Sequence, residues 1–308
     1  MGPSLDKGEK IVELILSSIS QGLLWSVMAI GVYVTFRILN IADMTAEGSY
    51  PLGAAVCATA IVHSVHPLLA TLLAIFAGMG AGLVSGLLHT KMKIPALLTG
   101  IVTLTGLYSI NLKILGKANV ALLKQETLIT QLQKIGLSKT YSVLLIGIIF
   151  VGLVIAILTI LLHTQLGLAL RSTGDNIPMS EANGINVDRM KIYGYMLSNG
   201  LIALCGALLT QNNGYADLNS GTGTIVIGLA SVILAEVVLR NLRLGWRFLS
   251  VVLGAIAYRL IILAILAIPG MDVDLVKLFS AILLASVLFV PELQKKLGIG
   301  RIRLQEKA

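Results

Sequence analysis

Charged side chains are scarce in this sequence. Asp, Glu, Lys and Arg make up 12% of its 308 residues, against about 25% in soluble domains. Apolar residues make up 56%, mean hydropathy is +0.91, and the apolar residues run in long blocks. That excludes a soluble domain with one large core. No basic run is interleaved with aromatics, so the net charge of +8 does not point to nucleic acid. There is no GxxxxGK[ST], so ATP binding through a P-loop is not expected of this chain. HExxH and GxSxG are missing, and His63, His66, His89 and His163 are scattered near block edges. No catalytic residue, metal site or cofactor is therefore expected. No regularly spaced arginine series suggests a voltage sensor. The two cysteines, Cys57 and Cys205, fall inside apolar blocks and read as buried small hydrophobes. No cleavable signal peptide is evident.

What remains is an all-α polytopic membrane protein. Nine apolar blocks are legible, at 11–35, 48–63, 68–88, 95–112, 141–162, 192–212, 223–239, 247–268 and 275–291. A span needs about 20 apolar residues, so the short second and seventh blocks are expected to be broken or re-entrant helices. The chain reads as one membrane domain over 1–308, with a polar loop at 163–191. Placing that loop in the cytoplasm puts Arg37, Lys91, Lys93, Arg171, Arg189, Lys191, Arg240, Arg243, Arg247 and the C-terminal cluster from Lys295 to Lys307 inside. The outside keeps Lys7, Lys10 and the lysines between Lys113 and Lys139. The excess of inner positive charge predicts an outer N-terminus and a cytoplasmic C-terminus.

Two stretches look alike. "IADMTAEGSYPLGAAV" (41–56) and "YADLNSGTGTIVIGLASV" (215–232) both start near Ala-Asp, pass small polar residues and Gly, and enter an apolar helix. With four blocks on each side of a fifth, they suggest an inverted 4+1+4 repeat whose broken helices meet near a solute route. Asp43, Thr45, Glu47, Asp217 and Asn219 are candidates to line that route; the alternative is that they cap the helices that follow. Arg259 and Glu236 lie within apolar blocks, where charge is costly and faces the bundle interior. Glu236 is expected to pair with Arg259 or with Arg240, and Arg259 is also a candidate pathway residue. Gly78, Gly82 and Gly86 mark a helix face for close approach, within the chain or across a dimer.

The polar loop holds "RSTGDNIPMSEANGINVDRMK" (171–191). Asp175 or Asn176 can N-cap a short helix, Pro178 suits its first turn and Asn183-Gly184 can end it. So short a helix is marginal alone and needs something to pack on. This segment resembles the coupling loop of ABC-transporter permeases. Glu181-Ala182-Asn183-Gly184 stands where many importers carry Glu-Ala-Ala…Gly, with Asn replacing the second Ala and a compressed spacing. Gly184–Arg189, together with 28–56, is similar to the branched-chain amino-acid permease family, related to ribose-type permeases. The likeness runs from about Gly22 to Pro291. The sequences around Asp43 and Asp217 look most like a bacterial subgroup associated with aromatic amino acids such as tryptophan or tyrosine.

The resemblance implies the membrane subunit of an importer, with ATP hydrolysed by separate cytoplasmic ATPase subunits. It also implies an extracytoplasmic solute-binding protein and a second permease subunit, a homodimer being expected. Arg171, Gly174, Asp175, Glu181, Asn183, Gly184 and Arg189 would make or shape the ATPase contact. The alternatives are the same family carrying a sugar or nucleoside, and an ATPase-independent secondary transporter.

Overall fold

A computed structural model describes residues 7–123, 125–238, 244–267 and 278–286, together with 275 and 289. It is built almost wholly of helices. The first, α1 (Lys7–Tyr33), ends in a π-helical turn, Val34–Ile38. A break follows, with Asn40 at φ 56°, before α2 (Ala46–Val62). Next come α3 (Pro67–Thr90) and α4 (Ala96–Leu115), the latter closed by left-handed Gly116. A short strand β1 (Asn119–Ala121) and helix α5 (Leu128–Lys134) lead to α6 (Lys139–His163). Two short helices, α7 (Gln165–Asp175) and α8 (Ile177–Ala182), precede α9 (Val187–Asn213). The second break holds strand β2 (Tyr215–Asp217) and a 3-10 turn, Leu218–Gly221. The described helices close with α10 (Thr224–Val238) and α11 (Leu244–Leu266).

Seven of these helical segments are long and apolar enough to cross a membrane, and the described parts make an all-α polytopic membrane protein. The expected second block, α2, is short, starts at a break and is not one of the seven. The ninth block, 275–291, lies largely outside the described residues, as do Arg240, Arg243 and the C-terminal basic cluster.

The core lies around α9, which packs against α1, α2 and α3. Small residues set those distances. A Cβ on Gly82 would overlap the Tyr195 carbonyl, and one on Gly86 would come within 2.9 Å of the Ile192 Cα. The Gly78-Gly82-Gly86 face is thus spent on α9 of the same chain. Cys57 and Cys205 are buried and free, as expected of small hydrophobes.

The two ends of the bundle are distinct. At one end β1 pairs antiparallel with β2, Val120 opposite Ala216, and the Leu128 amide donates to Gln211 Oε1 at 3.0 Å. This organises part of the segment between α4 and α6, where the lysines between Lys113 and Lys139 are found. At the other end lie α7, α8 and the end of α1. The helices' outward faces expose Leu72, Phe76, Ile149, Leu153, Ile157 and Ile160, an apolar surface suited to lipid.

Candidate functional site

The two breaks enter from opposite ends and meet beside α2. Both begin with the same local device. Asp43 Oδ1 accepts from the Thr45 amide at 2.9 Å, and Asp217 Oδ1 accepts from the Asn219 amide at 3.1 Å. In each, a carboxylate two residues upstream holds the turn from which the next helix starts.

Beyond that shared turn their surroundings diverge. Asp43 is buried, and its Oδ2 accepts from Asn199 Nδ2 at 2.7 Å. Asn199 Oδ1 in turn accepts from Ser49 Oγ at 2.7 Å. Thr45 Oγ1 lies 2.8 Å from Ser85 Oγ, which donates to Thr103 Oγ1 at 3.0 Å. These buried groups tie the first break and α2 to α3, α4 and α9. Asp43 and Thr45, read as route-lining candidates, sit inside packed protein.

The second break opens on a cleft of about 410 Å³. Its walls are the first turns of α2 (Glu47, Gly48, Pro51), one face of α4 (Leu104, Thr105, Tyr108, Ser109, Asn111) and the break itself (Leu218, Asn219, Gly221, Thr222). Glu47 Oε1 accepts from the Gly223 amide at 3.0 Å, just before α10. Gly221 is pressed against α2: a Cβ there would overlap the Glu47 carbonyl and lie 2.7 Å from Pro51 Cδ. Pro51 brings no N–H to that carbonyl.

Of the route candidates, the cleft brings together Glu47 and Asn219. Asp217 stands in the strand pair at its edge, and Arg259 lies apart. Arg259, on α11, donates to Gln21 Oε1 of α1 and sits over the Trp25 ring at 5.8 Å. The expected partner of Glu236 is corrected: Glu236 pairs with Arg37 at the end of α1. The reason is position along antiparallel helices. Glu236 is near the end of α10, whereas Arg259 is about four turns into α11. Arg240 lies outside the described residues. Sequence reading missed the α4 wall, although Asn111, a polar amide in an apolar block, was a usable signal.

The polar loop forms a second candidate surface. The N-cap of α8 is Asn176, whose Oδ1 accepts from the Met179 amide at 3.0 Å; Asp175 ends α7 instead. Asn183 is the C-cap, and Gly184 follows at φ 76°. The eleven residues of α7 were not foreseen. They dock on the end of α1: a Cβ on Gly174 would overlap the Ile38 carbonyl. Arg171 is partly buried, while Asp175, Glu181, Asn183, Gly184 and Arg189 are exposed. Leu166, Leu168, Ile177 and Met179 are exposed beside them. Asp188 and Lys91 pair at 3.7 Å, linking this surface to the end of α3.

Broken helices meeting from opposite ends of a lipid-suited bundle, with a polar platform at one end, define a multi-pass membrane transport protein. The comparisons with known proteins give the family. A model described as the branched-chain amino acid transport system / permease component matches residues 14–288, and the chain belongs to that family. It is a permease component of a transport system. It is 38% identical to a tyrosine transport system permease protein of Clostridioides difficile (strain R20291), over 95% of this chain and 96% of the relative. It is 32% identical to an uncharacterized protein of Rickettsia prowazekii (strain Madrid E), over 75% of this chain and 79% of the relative. A more distant relative, 27% identical over 68% of this chain and 57% of its own length, is the autoinducer 2 import system permease protein LsrC of Yersinia enterocolitica. No solved structure matches the chain significantly.

Proposed function

We propose that the chain is the membrane-spanning subunit of an ATP-driven importer for a small polar solute, an amino acid by its likeness to the tyrosine transport permease. The loop 163–191 faces the cytoplasm, as does the C-terminus, and the N-terminus lies outside. An extracytoplasmic binding protein delivers the solute, and a second permease subunit, a homodimer partner, completes the path. The cleft between α2, α4 and the second break is this subunit's share of that path.

The observation that carries the reading is the seat of α7 on the end of α1. The surface of α8 exposes Ile177, Met179 and Glu181. A subunit gripping it would move α7, and Gly174 passes that motion to Ile38, immediately before the first break. A polar segment between two apolar helices then has a mechanical purpose. Movement imposed at one end shifts α1, α2 and the cleft beside them.

The test is a mild-detergent pull-down of the tagged chain from native membranes, with and without Glu181→Arg. A P-loop ATPase is expected with the wild type and depleted with the variant. Stable wild-type protein that brings down no ATPase, with uptake that survives ATP depletion and collapses with the ion gradient, would make the chain a secondary transporter instead.

A further inference from the structure

Arg259 is a cation set among apolar helices, where a charge is ordinarily paired. Among the described residues its hydrogen bond and its ring contact are with neutral groups, Gln21 Oε1 and the Trp25 indole. One edge of the guanidinium is only half used. Nε and Nη2 are adjacent donors on the same side, spaced to meet the two oxygens of a carboxylate. Here Nη2 donates to the single amide oxygen of Gln21, while Nε is buried with no hydrogen-bond partner. Buried donors in folded proteins are nearly always satisfied, and an exception calls for an explanation.

The neighbouring side chain repeats the pattern. Trp25 Nε1 is also buried without a partner. Its ring is held in place by stacking on Tyr50 of α2, with centroids 5.5 Å apart and planes 11° apart. Two orphaned donors thus sit on side chains that stand against each other, beside a positive charge.

Gln21 connects this pair to open space. It lines a cavity of about 320 Å³ at the strand-pair end of the bundle. Ser17 of α1, Lys139 at the start of α6, Asn212 near the end of α9 and Tyr215 in the second break line it too. That volume is in the range of small-molecule sites. The amide that half-fills the fork is therefore part of the wall of a solute-sized space.

We propose that Arg259 binds the carboxylate of the transported solute, which enters through this cavity and displaces the Gln21 oxygen from Nη2. The carboxylate then spans Nε and Nη2, and Trp25 Nε1 is a third donor beside it. The proposal rests on reading the chain as an amino-acid permease, and adds a subsite for the acid group apart from the cleft beside α4.

The experiment reads Trp25 directly, independently of the binding protein. Trp25 and Trp246 are the two tryptophans of the chain, and Trp246 is exposed, so Trp246→Phe leaves Trp25 as the sole indole. Its emission is followed in the full chain in lipid nanodiscs, excited where tyrosine scarcely absorbs. Tyrosine and 3-(4-hydroxyphenyl)propionate, which has the carboxylate and no ammonium, are expected to shift the emission saturably. Tyrosinamide, which has the ammonium and no carboxylate, is expected to leave it unchanged. Arg259→Gln is expected to raise the half-saturating concentration of the propionate by about tenfold or more, the loss of a charge-assisted pair. Arg259→Lys keeps the charge without the two-donor edge, and is expected to recover only part of that loss.

Tyrosinamide acting like the propionate, or a response indifferent to both Arg259 substitutions, overturns the carboxylate site. The cleft is checked separately by maleimide labelling of Thr105→Cys, which lines it while the natural cysteines are buried. If tyrosine slows that labelling and Trp25 stays silent, the carboxylate site falls and the path reading stands. If tyrosine affects neither, both fall. Monodisperse elution identifies folded variants, and the comparison of probes on the Trp246→Phe chain needs no change at Arg259.

Discussion

The two breaks share a turn and differ in what surrounds it. Each starts with an aspartate accepting from the amide two residues on, Asp43 from Thr45 and Asp217 from Asn219. Around Asp43 the bonds run on through buried side chains: Asn199 bonds its second oxygen, and Ser49, Ser85 and Thr103 extend the network. Around Asp217 the chain turns outward, and the next residues, Leu218 and Asn219, line a cleft. The first break has become a fixed anchor among α2, α3, α4 and α9. The other has become one wall of an open cleft. The same local sequence device thus serves rigidity in one place and access in the other, and the decision is made by the helices packed around it.

The contrast breaks most visibly at the anchor. Asp43→Ala removes two accepted hydrogen bonds and leaves the Thr45 amide and Asn199 Nδ2 without this acceptor. Buried donors so treated cost about 1–3 kcal/mol each, and networks lose more than one bond at a time. A loss of about 2–5 kcal/mol is expected. The measurement is the thermal midpoint in mild detergent, followed by labelling of Cys57 and Cys205, which are buried until the bundle opens. A midpoint within a degree or two of the wild type would show that the anchor is not the fixed half.

The second break is held by close fit as well as by hydrogen bonds. Gly221 lies so close to α2 that a Cβ would overlap the Glu47 carbonyl. Gly221→Ala should therefore push the break away from α2. Overpacking of this kind costs about 1–3 kcal/mol, less than the loss at Asp43. Its more specific sign is at the cleft. Labelling of a Thr105→Cys reporter should change in rate, while Cys57 and Cys205 stay protected at low temperature. An unchanged reporter would mean that the close approach of Gly221 does not shape the cleft.

Much of this was legible in the residues. Long apolar blocks gave the membrane class, and the paired Ala-Asp stretches pointed to both breaks. The helix of the polar loop was readable from Asn176, Pro178 and Gly184, because caps and turns depend on local chemistry. What was not legible depended on partners distant in sequence. Asp43 looked like Asp217 because nothing local distinguishes them; Asn199, which buries Asp43, lies on α9. Glu236 is matched with Arg259 or Arg240 because nothing local shows that Arg37 ends α1 beside it. The α4 wall was missed because its polar residues are spaced among apolar ones and carry no motif. Asn111 becomes notable only once its Oδ1 is found without a donor.

The mildest test addresses the element that the two breaks share. Asp217→Ala removes the acceptor for the Asn219 amide, as Asp43→Ala does for Thr45. Here the residue is only partly buried and Asn219 is exposed, so water can replace the lost acceptor. The β1–β2 ladder, with Asn119 opposite Asp217, and Ser220 Oγ, which donates to the Asp217 carbonyl at 2.6 Å, use the backbone and survive the substitution. The expected cost is about 0.5–1 kcal/mol, the net worth of one solvent-accessible hydrogen bond. The same change at equivalent places should therefore differ severalfold in effect, read by the same thermal midpoint. Equal losses at both sites would mean that the turn, and not its burial, sets the stability of each break, and the division into an anchor and a wall would fail.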